Sequence, residues 1–221
     1  MNVEELIKKS LQELRKIACE NPNESEKSSG KQDSRLIFPK YRNNNIRISE
    51  EEARFLFVHE LEKQKDKHHF YYSIETPTKK PYKEFSTDEP KIEGKGSRSG
   101  CVDVTLYNNI FQREHLIEFK FGNVDTCTKD FLKLLCDDEY GTKNYYINIL
   151  ENYSVSTLES LEEKYREAIK YIFQKYSHEI MSELLIVVGV LKKDKNNFFV
   201  YKKIDKNNQS IEIDKTEKFE I

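Results

Sequence analysis

Glu118 and Lys120 stand two residues apart in the run Leu116-Ile117-Glu118-Phe119-Lys120-Phe121. Side chains alternate along an extended strand, so Ile117, Phe119 and Phe121 share one face and Leu116, Glu118 and Lys120 the other. A carboxylate and an ammonium among large apolar residues are costly to bury unless paired, hydrated or bound to a metal. A third charge precedes them in Val102-Asp103-Val104-Thr105-Leu106-Tyr107, where the valines and leucine take one face and Asp103, Thr105 and Tyr107 the other. If the turn signal Asn108-Asn109 folds this strand against the next, Asp103 and Glu118 can share one face. Two converging carboxylates repel and raise each other's pKa, and a divalent cation relieves this. Oxygen ligands with no His or Cys nearby favour Mg²⁺ or Mn²⁺ over zinc. Lys120 could then orient a water and offset charge developing in a transition state. These are parts suited to phosphodiester hydrolysis.

The 221-residue chain is long enough for one large domain, or a domain with an appendage. Its net charge of -2 gives no general attraction to nucleic acid or anionic membrane, so a polyanion partner would have to meet a local basic patch. No apolar run approaches the ~20 residues of a membrane span, and the acidic start Met1-Asn2-Val3-Glu4-Glu5 does not read as a signal peptide. Cys19, Cys101, Cys127 and Cys136 lack zinc-like spacing and read as reduced thiols of a cytoplasmic protein.

The elements that must position the charges follow from periodicity. Leu6, Ile7, Leu11, Leu14, Ile17 and Ala18 mark an amphipathic helix over 3–19, and the polar stretch 20–34 reads as a linker. Ser49 with Glu52 is a capping-box pattern opening a helix that runs to about 63. Strands are expected at 70–76, ended by Pro77, and at 102–107, 115–121, 145–150, 184–191 and 198–204. Residues 78–100 read as a long connection. Helices are expected at 129–138, capped by Thr128, and at 156–178. The tail after 205 is expected to hold at most a weak edge strand. This order specifies an α/β sheet with helices packed against it.

Asp103 followed by Glu118-Phe119-Lys120 on an apolar strand, after a helix with an early Glu, resembles the PD-(D/E)xK nuclease superfamily over roughly residues 49–150. Small residues lie just ahead of the Asp, at Ser99-Gly100-Cys101, while Val102 stands where that family's pattern has Pro. The resemblance implies a restriction-endonuclease-like mixed central sheet flanked by helices. To this the chain would add an N-terminal helical extension, residues 1–34 forming helix and linker and 35–221 the nuclease-like domain. It further implies Mg²⁺ (or Mn²⁺) held by Asp103, Glu118 and the Phe119 carbonyl, catalysis by Lys120, and an accessory acid at Glu52. Glu60 and Glu75 are rivals for that last role. The implied activity is a cytoplasmic metal-dependent nuclease acting on DNA, with a part in prokaryotic defence or restriction. An RNA-directed nuclease and an inactive binding or scaffold module are the alternatives.

Lys79, Lys80, Lys83 and Arg98, with Lys129 and Lys133, are candidates for a phosphate-binding groove. Tyr72 or Tyr82 could stack on a base. The long helix over 156–178 could pack against a second protomer to form a homodimer. Each residue also has a plainer reading: Glu118 and Lys120 an edge-strand ion pair, Asp103 a turn-side cap, Glu52 a helix cap, the lysines solvated loops, and His68-His69 a solvent-facing pair.

Overall fold

A computed structural model describes residues 2–20, 36, 38–43, 46–83, 89–92, 97–123, 125–137, 142–152, 154–191, 198–204 and 213–214. Four helices, α1 (Val3–Glu20), α2 (Glu50–Lys63), α3 (Thr128–Cys136) and α4 (Val155–Tyr176), accompany eight strands. These are β1 (Tyr71–Lys83), β2 (Lys91–Ile92), β3 (Arg98–Tyr107), β4 (Arg113–Phe121), β5 (Lys143–Leu150), β6 (Glu183–Val190), β7 (Phe198–Ile204) and β8 (Ile213–Asp214). They form one mixed sheet in the order β2-β1-β3-β4-β5-β6-β7-β8. Only the β4–β5 and β5–β6 pairs are parallel. Parallel neighbours need crossovers, and α3 and α4 supply them.

Both crossover helices lie on one face. Phe131, Leu134, Leu135, Leu161, Tyr165 and Ile172 pack there with Leu116, Tyr146, Ile186 and Val188. The opposite face is covered by α1 and α2, where Leu6, Leu11, Leu14, Leu56, Phe57 and Leu61 meet Ile117, Phe119, Tyr145, Ile147 and Val187. Alternate residues of β4, β5 and β6 therefore enter different cores, as a strand period of two requires. The helix expected as an N-terminal extension is thus part of the domain: its leucines complete the second core. The 20–34 linker lies outside the described residues, apart from Glu20 at the end of α1.

The four helices and β4 to β7 follow the expected bounds closely; the end of β1, β2 and the start of β3 occupy much of 78–100, expected as a long connection, and three further local expectations need correction. Pro77 does not end β1; the strand continues to Lys83 with an irregularity between Pro77 and Pro81. Among the described residues β2 pairs with Tyr82 and Lys83 and not with Pro77, so Pro77 lies on an edge stretch of the sheet, where proline is tolerated. Ser49 is extended at the start of α2, yet its hydroxyl accepts no backbone bond and instead donates to Glu52. The reciprocal capping box forms at α4, where Ser154 Oγ accepts from Thr157 N at 3.2 Å and Ser154 N donates to Thr157 Oγ1 at 3.4 Å. Cys127, not Thr128, is the residue before α3. No helix among the described residues is long and apolar enough to cross a membrane.

Candidate functional site

The β3–β4 ladder pairs Leu106 with His115, Thr105 with Leu116 and Val104 with Ile117. One step further, Asp103 stands opposite Glu118, and there side-chain bonding replaces the ladder: Phe119 N donates to Asp103 Oδ2 at 2.7 Å. β3 also turns at this point. Val104 and Leu106 enter the α1/α2 core, but Val102 enters the α3/α4 core. The simple alternation expected over 102–107 therefore breaks at Asp103, which sits at the seam between the two layers.

The neighbouring strand is irregular at the same level. β1 pairs Ile74 with Val104 and Thr76 with Val102, which places Glu75 beside Asp103. Glu75 has φ 51°, a left-handed conformation uncommon for a side chain of this kind. Its carboxylate meets Arg54 of α2, and Arg54 Nη1 lies 3.5 Å from Asp103 Oδ1.

On the other side, α3 brings its own acid and base. Asp130 and Lys133 are three residues apart and so share a helix face. Lys133 Nζ contacts the Glu118 carboxylate, donates to the Cys101 carbonyl at 2.8 Å and lies 3.0 Å from Asp130 Oδ1. Lys120 Nζ lies 3.4 Å from Glu50 Oε2 and 3.9 Å from Asp130 Oδ2. Glu50 Oε1 also accepts from Phe121 N at 3.3 Å. Glu118, Asp130 and Lys133 are buried, whereas Glu50, Asp103 and Lys120 keep partial exposure and form the mouth.

The floor is polar but incompletely bonded. Tyr146 and Asn148 of β5 lie beside Glu118 and Lys120 in the sheet. Asn148 Nδ2 donates to Tyr165 Oη at 2.9 Å. Among the described residues the Tyr146 hydroxyl and Asn148 Oδ1 are buried without a hydrogen bond, and Asp130 is met by the Lys133 and Lys120 ammonium groups. Buried polar groups are normally bonded, so this floor has capacity to spare.

Charge follows from this geometry. Burial pushes the Glu118 carboxyl well above the usual carboxylate range; Lys133 opposes the shift, while Asp130 and Asp103 add to it. Burial disfavours the charge on Lys133, but Glu118 and Asp130 more than offset that and hold its pKa up. Lys120 is raised in the same way, burial being outweighed by Asp130, Glu118 and Glu50. Five carboxylates (Glu50, Glu75, Asp103, Glu118, Asp130) meet three cations (Arg54, Lys120, Lys133), a formal excess of two negative charges.

Asp103, Glu118, Phe119 and Lys120 are therefore brought together, and Glu52 is not among them. Glu52 contacts Ser49 and lies 3.6 Å from Arg47 Nη1. The α2 acid that reaches the seam is Glu50. Glu60 accepts from Gln64 Nε2 at 3.2 Å, away from the seam, and Glu75 is at the seam through Arg54. Lys133 is no groove residue, because it is buried on Glu118. Lys80 Nζ is 2.6 Å from Glu179 Oε2. Lys79 and Arg98 are exposed, and Lys83 and Lys129 are half-buried. Tyr82 is buried, with its hydroxyl donating to Asp137 Oδ1 at 3.3 Å, and is not placed to stack on a base. His68 is likewise buried, its Nε2 2.7 Å from the Leu61 carbonyl, while His69 is exposed. In α4, Tyr165, Ile169 and Ile172 face the sheet rather than a second protomer.

Sequence reasoning missed Glu50, Arg54 and Asp130, and misassigned Lys133. The available signal was Asp130-Phe131-Leu132-Lys133 in a helix whose other inner positions are apolar. Two charges at helical spacing inside an apolar segment ask for a buried partner. Among the described residues, no three His, Cys, Asp or Glu side chains form a group able to hold a metal ion. No protein-family model, curated protein or solved structure matches the chain.

Proposed function

We propose that this chain is a divalent-cation-dependent phosphodiesterase with a restriction-endonuclease-like sheet, acting on DNA. The observation that carries the reading is the convergence of Asp103, Glu118 and Lys120 where the β3–β4 ladder opens, with Asp103 Oδ2 on the Phe119 amide at 2.7 Å. The candidate ligands suit a hard cation: all are oxygens, and the surrounding cluster of five acids and three bases carries a formal excess of two negative charges. Asp103, Glu118 and the Phe119 carbonyl would hold Mg²⁺ or Mn²⁺. When bound, such an ion stabilises charge on a phosphoryl oxygen and makes its water a better nucleophile.

The chain's own groups account for the rest. Lys120 stands at the mouth and can donate to a phosphate oxygen as negative charge builds there. Glu50 and Asp130 hold its ammonium from two sides. The Phe119 N–H holds Asp103 Oδ2, while Oδ1 faces Arg54.

The test is cleavage of plasmid, linear and single-stranded DNA, and of RNA, in Mg²⁺, Mn²⁺ or EDTA. Asp103→Asn and Lys120→Ala are each expected to lower the rate by at least ~100-fold. Cleavage that survives both would remove the site assignment. Preferential cutting of RNA would redirect the substrate. A second reading, an inactive binding or scaffold module, is favoured by one observation: Lys133 already occupies Glu118. Absence of cleavage together with absence of cation-induced stabilisation would select it.

A further inference from the structure

Lys133 is the buried group that the proposed chemistry leaves without a role. It contacts Glu118, the acid expected to take a cation, and holds two further partners that do not depend on Glu118: Asp130 Oδ1 at 3.0 Å and the Cys101 carbonyl at 2.8 Å. An ammonium has three donors, so all three contacts can be made at once. Loss of any one leaves the other two in place. Asp130 in turn can take more of the ammonium, because Lys133 already lies 3.0 Å from its Oδ1 while its Oδ2 is 3.9 Å from Lys120 Nζ, beyond hydrogen-bond reach.

We propose that Lys133 is an exchangeable occupant of the cation site: its ammonium neutralises Glu118 when no ion is bound, and passes to Asp130 and the Cys101 carbonyl when a divalent cation takes the carboxylate. The inference rests on the nuclease reading for the identity of the ligand. Its physical basis is that a buried carboxylate left without a partner is strongly destabilising. A site that must stay folded while empty needs a cation of its own, and Lys133 supplies one from a helix rather than from solvent. Asp130 makes the exchange reversible, because it receives the displaced charge without a second desolvation. The device costs affinity: an incoming ion must compete with Lys133 for Glu118, and Asp130 reduces that cost. The two α3 residues are therefore expected to act in opposite directions on ion binding.

The probe is Mn²⁺, titrated calorimetrically into the purified full chain at mildly alkaline pH, with thermal unfolding recorded with and without the ion. Lys133→Met removes the competitor and is expected to bind Mn²⁺ at least about tenfold more tightly, with a larger Mn²⁺-induced rise in Tm than wild type. Asp130→Asn removes the receiving group and is expected to bind at least about tenfold more weakly. In the double variant the Asp130→Asn effect should shrink, because there is no ammonium left to receive. A merely structural role would weaken binding in both single variants, and that result overturns the exchange. Equal affinities in wild type and Lys133→Met overturn it too, while leaving the cation site standing. No Mn²⁺ binding by any of the proteins overturns both the exchange and the metal reading beneath it. If Lys133→Met does not fold without the ion, recovery of its fold on adding Mn²⁺ supports the exchange, and failure to recover counts against it.

Discussion

Ile117 and Phe119 of β4 point to α1 and α2, where Phe119 meets Phe57 with ring centroids 5.8 Å apart. Glu118, between them, points to α3 and meets Lys133, Asp130 and Tyr146. The same nine residues thus serve two unlike interiors. On the first face the neighbours are aliphatic and aromatic, and stability comes from apolar area removed from water. On the second, beside the apolar α3/α4 core that takes Leu116, acids and bases are buried together, and their desolvation cancels much of what their attraction returns. The apolar face can hold β4 in place while the polar face stays incompletely bonded. A chemical site needs that division, because groups satisfied entirely by the protein have nothing left to offer a ligand.

Truncation on each face should expose the contrast, and the largest effect is expected on the apolar side. Phe119→Ala should cost about 3–5 kcal/mol in urea unfolding, since it removes a fully buried ring facing Phe57. Lys133→Met without added cations should cost ~3 kcal/mol at mildly alkaline pH, because it takes the ammonium from two buried acids, Glu118 and Asp130. The two sites differ in how they can be repaired. Adding Glu118→Leu to Lys133→Met should recover the part of that loss due to Glu118, as replaced buried ion pairs often do, while Asp130 keeps Lys120. No second substitution on the apolar face should rescue Phe119→Ala in this way. Failure of the double variant to recover would mean that the ion pair itself stabilises the sheet.

A smaller effect should appear with pH. Burial raises the Glu118 carboxyl above its ordinary value of 4.5, so the folded chain keeps this proton at pH values where the unfolded chain has lost it. The contribution to stability is complete below the unfolded value and declines as pH rises through the folded one. Glu118→Gln removes the titration. Unfolding free energies of wild type and variant, measured from weakly acidic to alkaline pH, should therefore diverge as pH rises, with wild type falling relative to the variant. Parallel curves would show that Lys133 fully compensates the burial.

The strands of both faces were legible in the sequence because they obey a single period. The 145–150 and 184–191 runs are read directly from their apolar residues, as is α1 from its leucines. The Glu118–Lys120 strand and Asp103 were legible for the same reason, since a charge inside an apolar run is conspicuous. Glu50 was not, because Glu50, Glu51 and Glu52 form an unbroken acidic run whose phase depends on how α2 leans on the sheet. Glu52 was favoured because the resemblance expects an acid early in this helix, and that position alone does not say which acid of the run leans toward the sheet. The turn of β3 at Asp103 was hidden for a related reason. It arises where Glu75 adopts a left-handed conformation and Asp103 bonds to the Phe119 amide, both contacts between distant segments. Lys133 looked like a surface lysine because its partner lies on another strand.

The smallest expected effect concerns the basic residues outside this polar interior. Of those first considered for phosphate contact, Lys133 is buried, Lys80 is paired with Glu179, and Lys83 and Lys129 are half-buried, while Lys79 and Arg98 are exposed, on adjoining strands. Pro81 pairs with Ser99 and Tyr82 with Arg98, so both residues lie toward the same end of the β1–β3 ribbon. If DNA crosses that end, Lys79→Ala and Arg98→Ala should each weaken binding severalfold and reduce the slope of log K against log salt by ~0.9 for duplex DNA. Fluorescence anisotropy over a salt series would measure this, with Lys80→Ala, at the half-buried lysine on Glu179, for comparison. The faces then separate cleanly: interior substitutions should change stability and ion binding with the salt slope intact, and ribbon substitutions the reverse. An unchanged slope in both ribbon variants would move the nucleic-acid path to another edge of the sheet without touching the argument for Asp103, Glu118 and Lys120.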